Sequence, residues 1–119
     1  MLRFLAVTFL LAATPAAAHE PDVGPNGGAR VDAGPYRVEL VPGDTSVIIH
    51  LTLDDGGPVD TSAMTGTAIL IVDSKPLRLS LAPAEPGTLA AETQKPVPAE
   101  VKGAVQLNGP DGVAAQAKF

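Results

Sequence analysis

The stretch that decides the fold is Ser46-Val47-Ile48-Ile49-His50-Leu51-Thr52-Leu53, in which apolar residues recur with a period of two. Successive side chains of a β-strand point to opposite faces, so Val47, Ile49 and Leu51 share one face. His50 lies on the other face, between Ile48 and Thr52. The many β-branched residues also favour a strand. The pattern therefore predicts a strand with one strongly apolar face.

The segments on both sides of this stretch repeat the same kind of pattern. Residues 36–40 and 77–81 alternate cleanly, whereas residues 67–72 are almost continuously apolar, which is typical of a strand covered on both faces or of one in the centre of a sandwich. Residues 88–93 give a weaker pattern, and residues 101–107 and 113–119 flank a five-residue hairpin loop at 108–112. Glycine and proline punctuate these segments, and residues 54–58 are expected to form a hairpin-type turn.

No segment downstream of residue 18 shows helical periodicity over ten or more residues. About seven short strands spaced roughly ten residues apart predict an all-β domain over residues 29–119. We expect a single antiparallel β-sandwich of the immunoglobulin-like type, with a small barrel as the alternative. Two aromatic residues, Tyr36 and Phe119, occur in this region, so the core is expected to be aliphatic.

Composition excludes several classes of function. The chain has 119 residues and no cysteine, which rules out disulfides, thiolate metal ligands and a cysteine nucleophile. The formal net charge of −5 argues against nucleic acid as a partner, because phosphate binding needs a cationic surface. Serines 46, 62, 74 and 80 lie in no G-x-S-x-G motif, and the sequence contains no P-loop or G-x-G-x-x-G motif. We therefore expect no enzymatic activity.

The first 18 residues are predicted to be a secretory signal peptide. Arg3 precedes an apolar run of about ten residues, and Ala16 and Ala18 form an A-x-A cleavage site. The run is shorter than the roughly 20 residues needed to span a bilayer, although a retained membrane anchor is the alternative. Residues 19–28 show no periodicity and are expected to form a flexible leader or one ordered on contact. The mature protein is thus expected to act outside the cytoplasm, without a membrane contact.

His19 is the main candidate for a metal ligand. Cleavage after Ala18 would make it the amino terminus, where its free amine and Nδ1 together chelate a divalent ion, with Cu(II) favoured. Cleavage after Ala16 would instead let the amine, two amide nitrogens and the imidazole surround Cu(II). Glu20, Asp22 and His50 are the candidates for the remaining ligand positions. The alternative is that His19 belongs to a solvated tail and that His50 is a surface histidine.

Residues 24–40, GPNGGARVDAGPYRVEL, followed by DDGGPV at 54–59, resemble the N-terminal β-domain of heavy-metal-efflux periplasmic adaptor subunits. They are also similar to small exported proteins with a Gly-Pro-x-Gly-Gly leader. The resemblance implies a periplasmic β-sandwich linked to transition-metal handling, without catalysis. Those proteins commonly carry several histidines before the Gly-Pro-x-Gly-Gly element, whereas this leader has only His19 with Glu20 and Asp22. At most one metal ion is therefore expected.

Two hypotheses of function follow from the sequence. The first is a periplasmic module that binds or chaperones one divalent transition-metal ion, in association with an envelope protein of an efflux system. The second is a metal-free interaction domain that docks on an envelope protein through the edge of a sheet.

Overall fold

The computed structural model describes residues 21–119, which form nine β-strands and no helix. Within this part of the chain, no helix is long and apolar enough to cross a membrane. All strand pairs are antiparallel, so the predicted all-β class is confirmed. The strands are β1 (Asp22–Val23), β2 (Ala29–Ala33), β3 (Tyr36–Pro42), β4 (Ser46–Leu53), β5 (Thr65–Val72), β6 (Lys75–Pro83), β7 (Thr88–Glu92), β8 (Lys102–Asn108) and β9 (Ala114–Lys118).

The strands form one sheet in the order β1-β2-β3-β4-β7-β6-β5-β8-β9. Strand β6 joins its two parts, because residues up to Leu81 pair with β5 while Ala82 and Pro83 pair with β7. The sheet curls, so that β2 and β9 come into contact although they lie near opposite ends of the strand order. The inner faces of the two parts thus enclose a common core.

The core consists almost entirely of aliphatic side chains. Val47, Ile49 and Leu51 of β4 are buried, as the alternation in that strand predicts. They share one cluster with Leu70 of β5 and Leu107 of β8, from the other part of the sheet. Burying such side chains is worth roughly 1.5–3 kcal/mol each, which makes this cluster the main source of stability.

The segment at 67–72 forms β5, which lies between β6 and β8 within the sheet and is not covered on both faces. Of its residues only Ala68 and Leu70 are buried. Ile69 and Ile71 lie on the outer face of β5 and are 40% and 48% exposed. Nothing in the described chain covers that face, because β5 is flanked by β6 and β8 within the sheet and has the core on its other side.

The turn at 54–58 differs from its prediction, since it does not link two paired strands. Gly56 N donates to Leu53 O over 2.8 Å, and Leu53 N donates to Gly57 O over 2.9 Å. Thr52 and Pro58 form one isolated bridge, after which the chain crosses to the other part of the sheet to begin β5. Glycine and aspartate favour a reversal at this point, but the partner of the next strand is set by packing of the whole sheet.

The other turns connect neighbouring strands. Asp73 and Ser74 join β5 to β6 with φ of 52° and 62°, a left-handed conformation that suits a two-residue hairpin. The predicted hairpin at 108–112 is confirmed: Gly109 N donates to Val113 O over 2.8 Å between β8 and β9.

Candidate functional site

Glu39 is the most unusual polar residue of the described chain. Alternation in β3 places it on the outer face, opposite the buried Val38 and Leu40, where the pattern predicts a solvated side chain. Its exposure is nevertheless only 2%. Burying a carboxylate is costly unless hydrogen bonds replace its water, so the surroundings of Glu39 must supply donors.

The donors come from the turn at 24–28, immediately before β2. Asn26 N donates to Glu39 Oε2 over 3.0 Å, and its Nδ2 donates to Oε1 over 2.9 Å. Gly28 N donates to Oε2 over 2.8 Å. Hydrogen bonds to an ionised acceptor are stronger than neutral ones, so this carboxylate holds the turn on the outer face of the sheet.

The local sequence explains why this turn forms. Gly24 N donates to Gly28 O over 2.8 Å, and Gly27 N donates to Gly24 O over 3.0 Å, which closes the loop on itself. Gly27 adopts a φ of 82°, which glycine tolerates without strain. A Cβ at Gly24 would overlap the Glu39 carboxyl, and a Cβ at Gly28 would overlap Leu40 O. The glycines therefore let the backbone lie directly against β3.

A row of polar residues crosses five strands on the same face. Asp22 pairs with Arg30, Arg30 with Glu39, Glu39 with His50, and His50 with Thr88. Side chains at directly paired positions lie on one face, with Cα atoms about 4.5–5.5 Å apart. The row thus contains two of the candidate ligands, Asp22 and His50.

The structure places these two candidates too far apart to share one ion. Two strands stand between Asp22 and His50, which at about 4.8 Å per strand separates their backbones by roughly 14 Å. The carboxylate of Glu39, the acidic neighbour of His50, already accepts hydrogen bonds from the turn. Across residues 21–119, no three His, Asp or Glu side chains are grouped so as to hold a metal. His19 and Glu20 lie outside the described residues.

A groove of about 520 Å³ lies beside the row. Arg30, Arg37 and His50 line it together with Asn26 of the turn and Pro58 of the β4–β5 connection. Arg37 also has Asp32 as a partner, with Nε and Oδ1 4.0 Å apart on the surface. The groove contains hydrogen-bond donors and a single imidazole, but no activated nucleophile and no pair of free carboxylates.

Asp60 is the one residue in the described part with a clear change in acidity. The hydroxyl and the backbone N–H of Ser62 both donate to Asp60 Oδ1, over 2.6 and 3.0 Å. These bonds stabilise the charged form and lower the pKa of Asp60 below its ordinary value of 3.8. Because Asp60 is fully exposed and no other acid or base adjoins it in these hydrogen bonds, the shift marks a local turn rather than a reactive centre.

Sequence reasoning missed Glu39. The available signal was a lone acidic residue in an alternating strand, eleven residues after a glycine-rich turn with free N–H groups.

Comparisons with protein-family models, curated proteins and solved structures gave no match for this chain.

Proposed function

We propose that the protein is a non-enzymatic exported domain that docks on an envelope protein through the open edges of its sheet. The observation that carries this proposal is that the edges of β2 and β9 lie side by side without pairing. These strands are in contact, yet within the described residues they form no ladder with each other. Strand β9 pairs only with β8, and β1 covers only Ala29 and Arg30 of β2.

Between these two edges lies a groove of about 630 Å³. Val31 and Asp32 line one wall, and Gln116 and Lys118 line the other. Unpaired backbone groups along a strand edge accept an added strand, and the side chains around it set the choice of peptide. The mixture of Asp22, Arg30, Asp32 and Lys118 around this groove favours a polar, extended segment of a partner.

Cross-linking followed by hydrogen exchange tests this proposal. The chain has no cysteine, so Asp32→Cys provides a single attachment point for a photoactivated cross-linker at the groove. We expect a specific adduct with one envelope protein. In the reconstituted complex, amides of residues 31–33 and 114–118 should then exchange more slowly. A complex that leaves those amides unprotected would refute edge docking.

The scaffold and location belong to the same proposal. We interpret the curled sheet as a β-sandwich, supported by the change of partners along β6 and by the core shared between the two parts. Export to the periplasm rests on the apolar run and A-x-A site at residues 1–18. The efflux-system partner rests on the resemblance of residues 24–60 to adaptor subunits.

Binding of one divalent metal ion, copper by preference, is the second candidate. The observation that favours it is the position of Asp22, which is exposed on β1 just before the anchored turn. His19 and Glu20 precede Asp22 by three and two residues, within about 10 Å of extended chain. His19 with Glu20 and Asp22 would then form the site, without His50, which lies too far from Asp22 to share one ion with it.

Calorimetric titration of the exported protein with Cu(II), Zn(II), Ni(II) and Co(II) tests the metal site. Binding tighter than about 10 μM, equivalent to roughly 7 kcal/mol, is expected for at least one ion. His19→Ala should abolish it, whereas His50→Ala serves as the matched control and should not. The metal proposal fails if none of the ions binds or if His19→Ala leaves binding unchanged.

A further inference from the structure

The outer face of the β6-β5-β8-β9 part carries an apolar centre with cations around it. Ile69 of β5 pairs with Arg78 on one side and with Ala104 on the other, and Ala104 pairs with Lys118. Two residues along the strands, Ile71 pairs with Pro76 and Lys102. We call these seven residues the cationic face: Ile69, Ile71, Pro76, Arg78, Lys102, Ala104 and Lys118.

The cationic face contrasts with the charge of the whole chain. The protein has 13 acidic and 8 basic residues, yet the strands β5, β6, β8 and β9 contain no Asp or Glu. Arg78, Lys102 and Lys118 are all exposed, and the described structure gives them no ion pair. Within these four strands every charged residue is a cation, although Lys118 at the edge also lines the β2–β9 groove with Asp22 and Asp32. Cations around exposed isoleucines are typical of a contact area with an apolar core and a charged rim.

We propose that the cationic face is the docking surface for an acidic patch on another protein. Arg78 and Lys118 lie at the two ends of the row that contains Ile69, so carboxylates on both sides of an apolar contact would match them. Four strands about 4.8 Å apart make the face about 15 Å wide, and Ile71 lies about 7 Å from Ile69 along the strand, which gives about 100 Å² in projection. This is well below the roughly 800 Å² per partner of a stable complex, so the contact is transient and salt-sensitive.

The same chemistry disfavours two other occupants. A second copy of the chain meeting this face symmetrically would bring Arg78, Lys102 and Lys118 against like charges, which is destabilising. A lipid surface is a poorer match, because the four strands contain no Trp, Tyr or Phe, the residues that favour the membrane interface. An acidic protein surface satisfies both the cations and the isoleucines.

The test begins with a cross-link from the centre of the face. Ile69→Cys carries a benzophenone label in the otherwise cysteine-free chain, and Val113→Cys, in the β8–β9 loop and somewhat more exposed than Ile69, is the control. Both are irradiated with envelope extract of the producing cells. An adduct formed from Ile69 and not from Val113, attached beside Asp or Glu residues of the captured protein, is expected. The absence of such an adduct overturns the proposal.

Binding of the purified pair then separates docking from chance capture. We expect Arg78→Glu to weaken binding about tenfold and Ile69→Asp at least tenfold, with further weakening as salt rises. Lys95→Glu makes the same change of charge in the exposed β7–β8 connection, away from both grooves and from this face, and should alter binding less than twofold. A partner carboxylate replaced by lysine should restore the affinity of Arg78→Glu. Equal effects of Arg78→Glu and Lys95→Glu would overturn the proposal.

Two further measurements decide among the alternatives. Vesicles containing phosphatidylglycerol should not retain the protein in flotation, and sedimentation should show a monomer. Retention on vesicles that Arg78→Glu abolishes, or a dimer that Ile69→Asp dissociates, would replace the acidic protein with lipid or with a second copy. Docking at the sheet edge is tested by the Asp32→Cys cross-link and by exchange of the amides of residues 31–33. Docking on the cationic face is tested by the Ile69→Cys cross-link and the Arg78→Glu variant, so either proposal can fail without the other.

Discussion

A single buried carboxylate joins two segments that are distant in the sequence. Glu39 lies on the outer face of β3, and the turn at 24–28 covers it. No cation is needed for its burial, because Asn26 and Gly28 provide N–H donors to both oxygens. The turn also fixes the start of β2, so the position of the amino-terminal part of the domain depends on the Glu39 side chain.

Replacing Glu39 with glutamine tests this dependence. In Glu39→Gln the remaining oxygen can keep both bonds made at Oε2, from the backbone N–H groups of Asn26 and Gly28, but the NH₂ group that replaces Oε1 cannot accept from Asn26 Nδ2. A buried donor without an acceptor costs about 1–3 kcal/mol, so we expect a loss of this size in the free energy of unfolding. Urea denaturation measures it, and hydrogen exchange should show faster exchange of the Gly28 amide.

Glu92→Gln is the matched control for this substitution. Glu92 ends β7 and is exposed, so the same chemical change there should alter the unfolding free energy by less than about 0.5 kcal/mol. Equal stability losses in the two variants would show that the charge of Glu39, and not its bonds to the turn, is what matters.

The burial of Glu39 also shows where sequence reasoning stops at the residue scale. Alternation correctly places Glu39 on the face opposite Val38 and Leu40. Whether that face is exposed to solvent at Glu39 depends on the turn at 24–28, which ends eleven residues earlier in the sequence. Strand periodicity carries no information about contacts with such a distant segment. The candidate ligands His19 and Glu20 stay predictions, and Asp22 and His50 are now placed on a common row.

At the scale of elements, most strands were predictable, but among their pairings only that of β8 with β9 was predicted. The clear alternation of β4 and β6 identifies them, and the Asn108–Gly112 loop identifies the β8–β9 hairpin. Strand β2 was not predicted although Ala29–Ala33 alternates, because two of its three apolar positions are alanines, which favour strands weakly; pairing with β3 stabilises it. The turn at 54–58 shows the converse. Its glycine and aspartate residues fit a hairpin, but the following strand, β5, pairs with β6 and β8 and not with β4.

The β5–β6 hairpin offers a stabilising substitution. Asp73 and Ser74 both adopt the left-handed conformation, which costs a residue with a side chain roughly 1–2 kcal/mol. Ser74→Gly removes this strain and creates the Asp-Gly pair preferred in such turns. Because glycine also loses more freedom on folding, we expect a net gain of about 0.5–1 kcal/mol in unfolding free energy, measured by urea denaturation.

Ser80→Gly provides the comparison for Ser74→Gly. Ser80 is exposed within β6, where its backbone is extended, so glycine there gives only the entropic loss of about 0.5–1 kcal/mol. Opposite signs for the two variants are therefore expected. A loss of stability in Ser74→Gly would mean that the serine side chain contributes more than the strain costs.

At the scale of the whole molecule, the aliphatic core carries the stability, and no residue of the described part, 21–119, covers the outer face of β5. Leu70 is fully buried and its neighbour Ile71 is 48% exposed. Leu70→Ala should lower the unfolding free energy by about 2–5 kcal/mol, because it removes buried contacts and leaves a cavity. Thermal or urea unfolding measures this directly.

Ile71→Ala is the paired variant on the opposite face of the same strand. We expect it to change stability by less than about 1 kcal/mol, since much of its surface is already in water. If β5 were covered on both faces, as its apolar run alone suggests, the two variants would be destabilised to a similar degree. The contrast thus measures the one-sided burial of this strand.

The contact between β2 and β9 brings the two ends of the described chain to one place. Asp22 and Lys118 line the same groove, one near each end. Domains whose termini lie together tolerate circular permutation and insertion into a host protein. We therefore expect a circular permutant, in which a short linker joins these ends and new termini lie at Gly109–Gly112, to fold into the same structure.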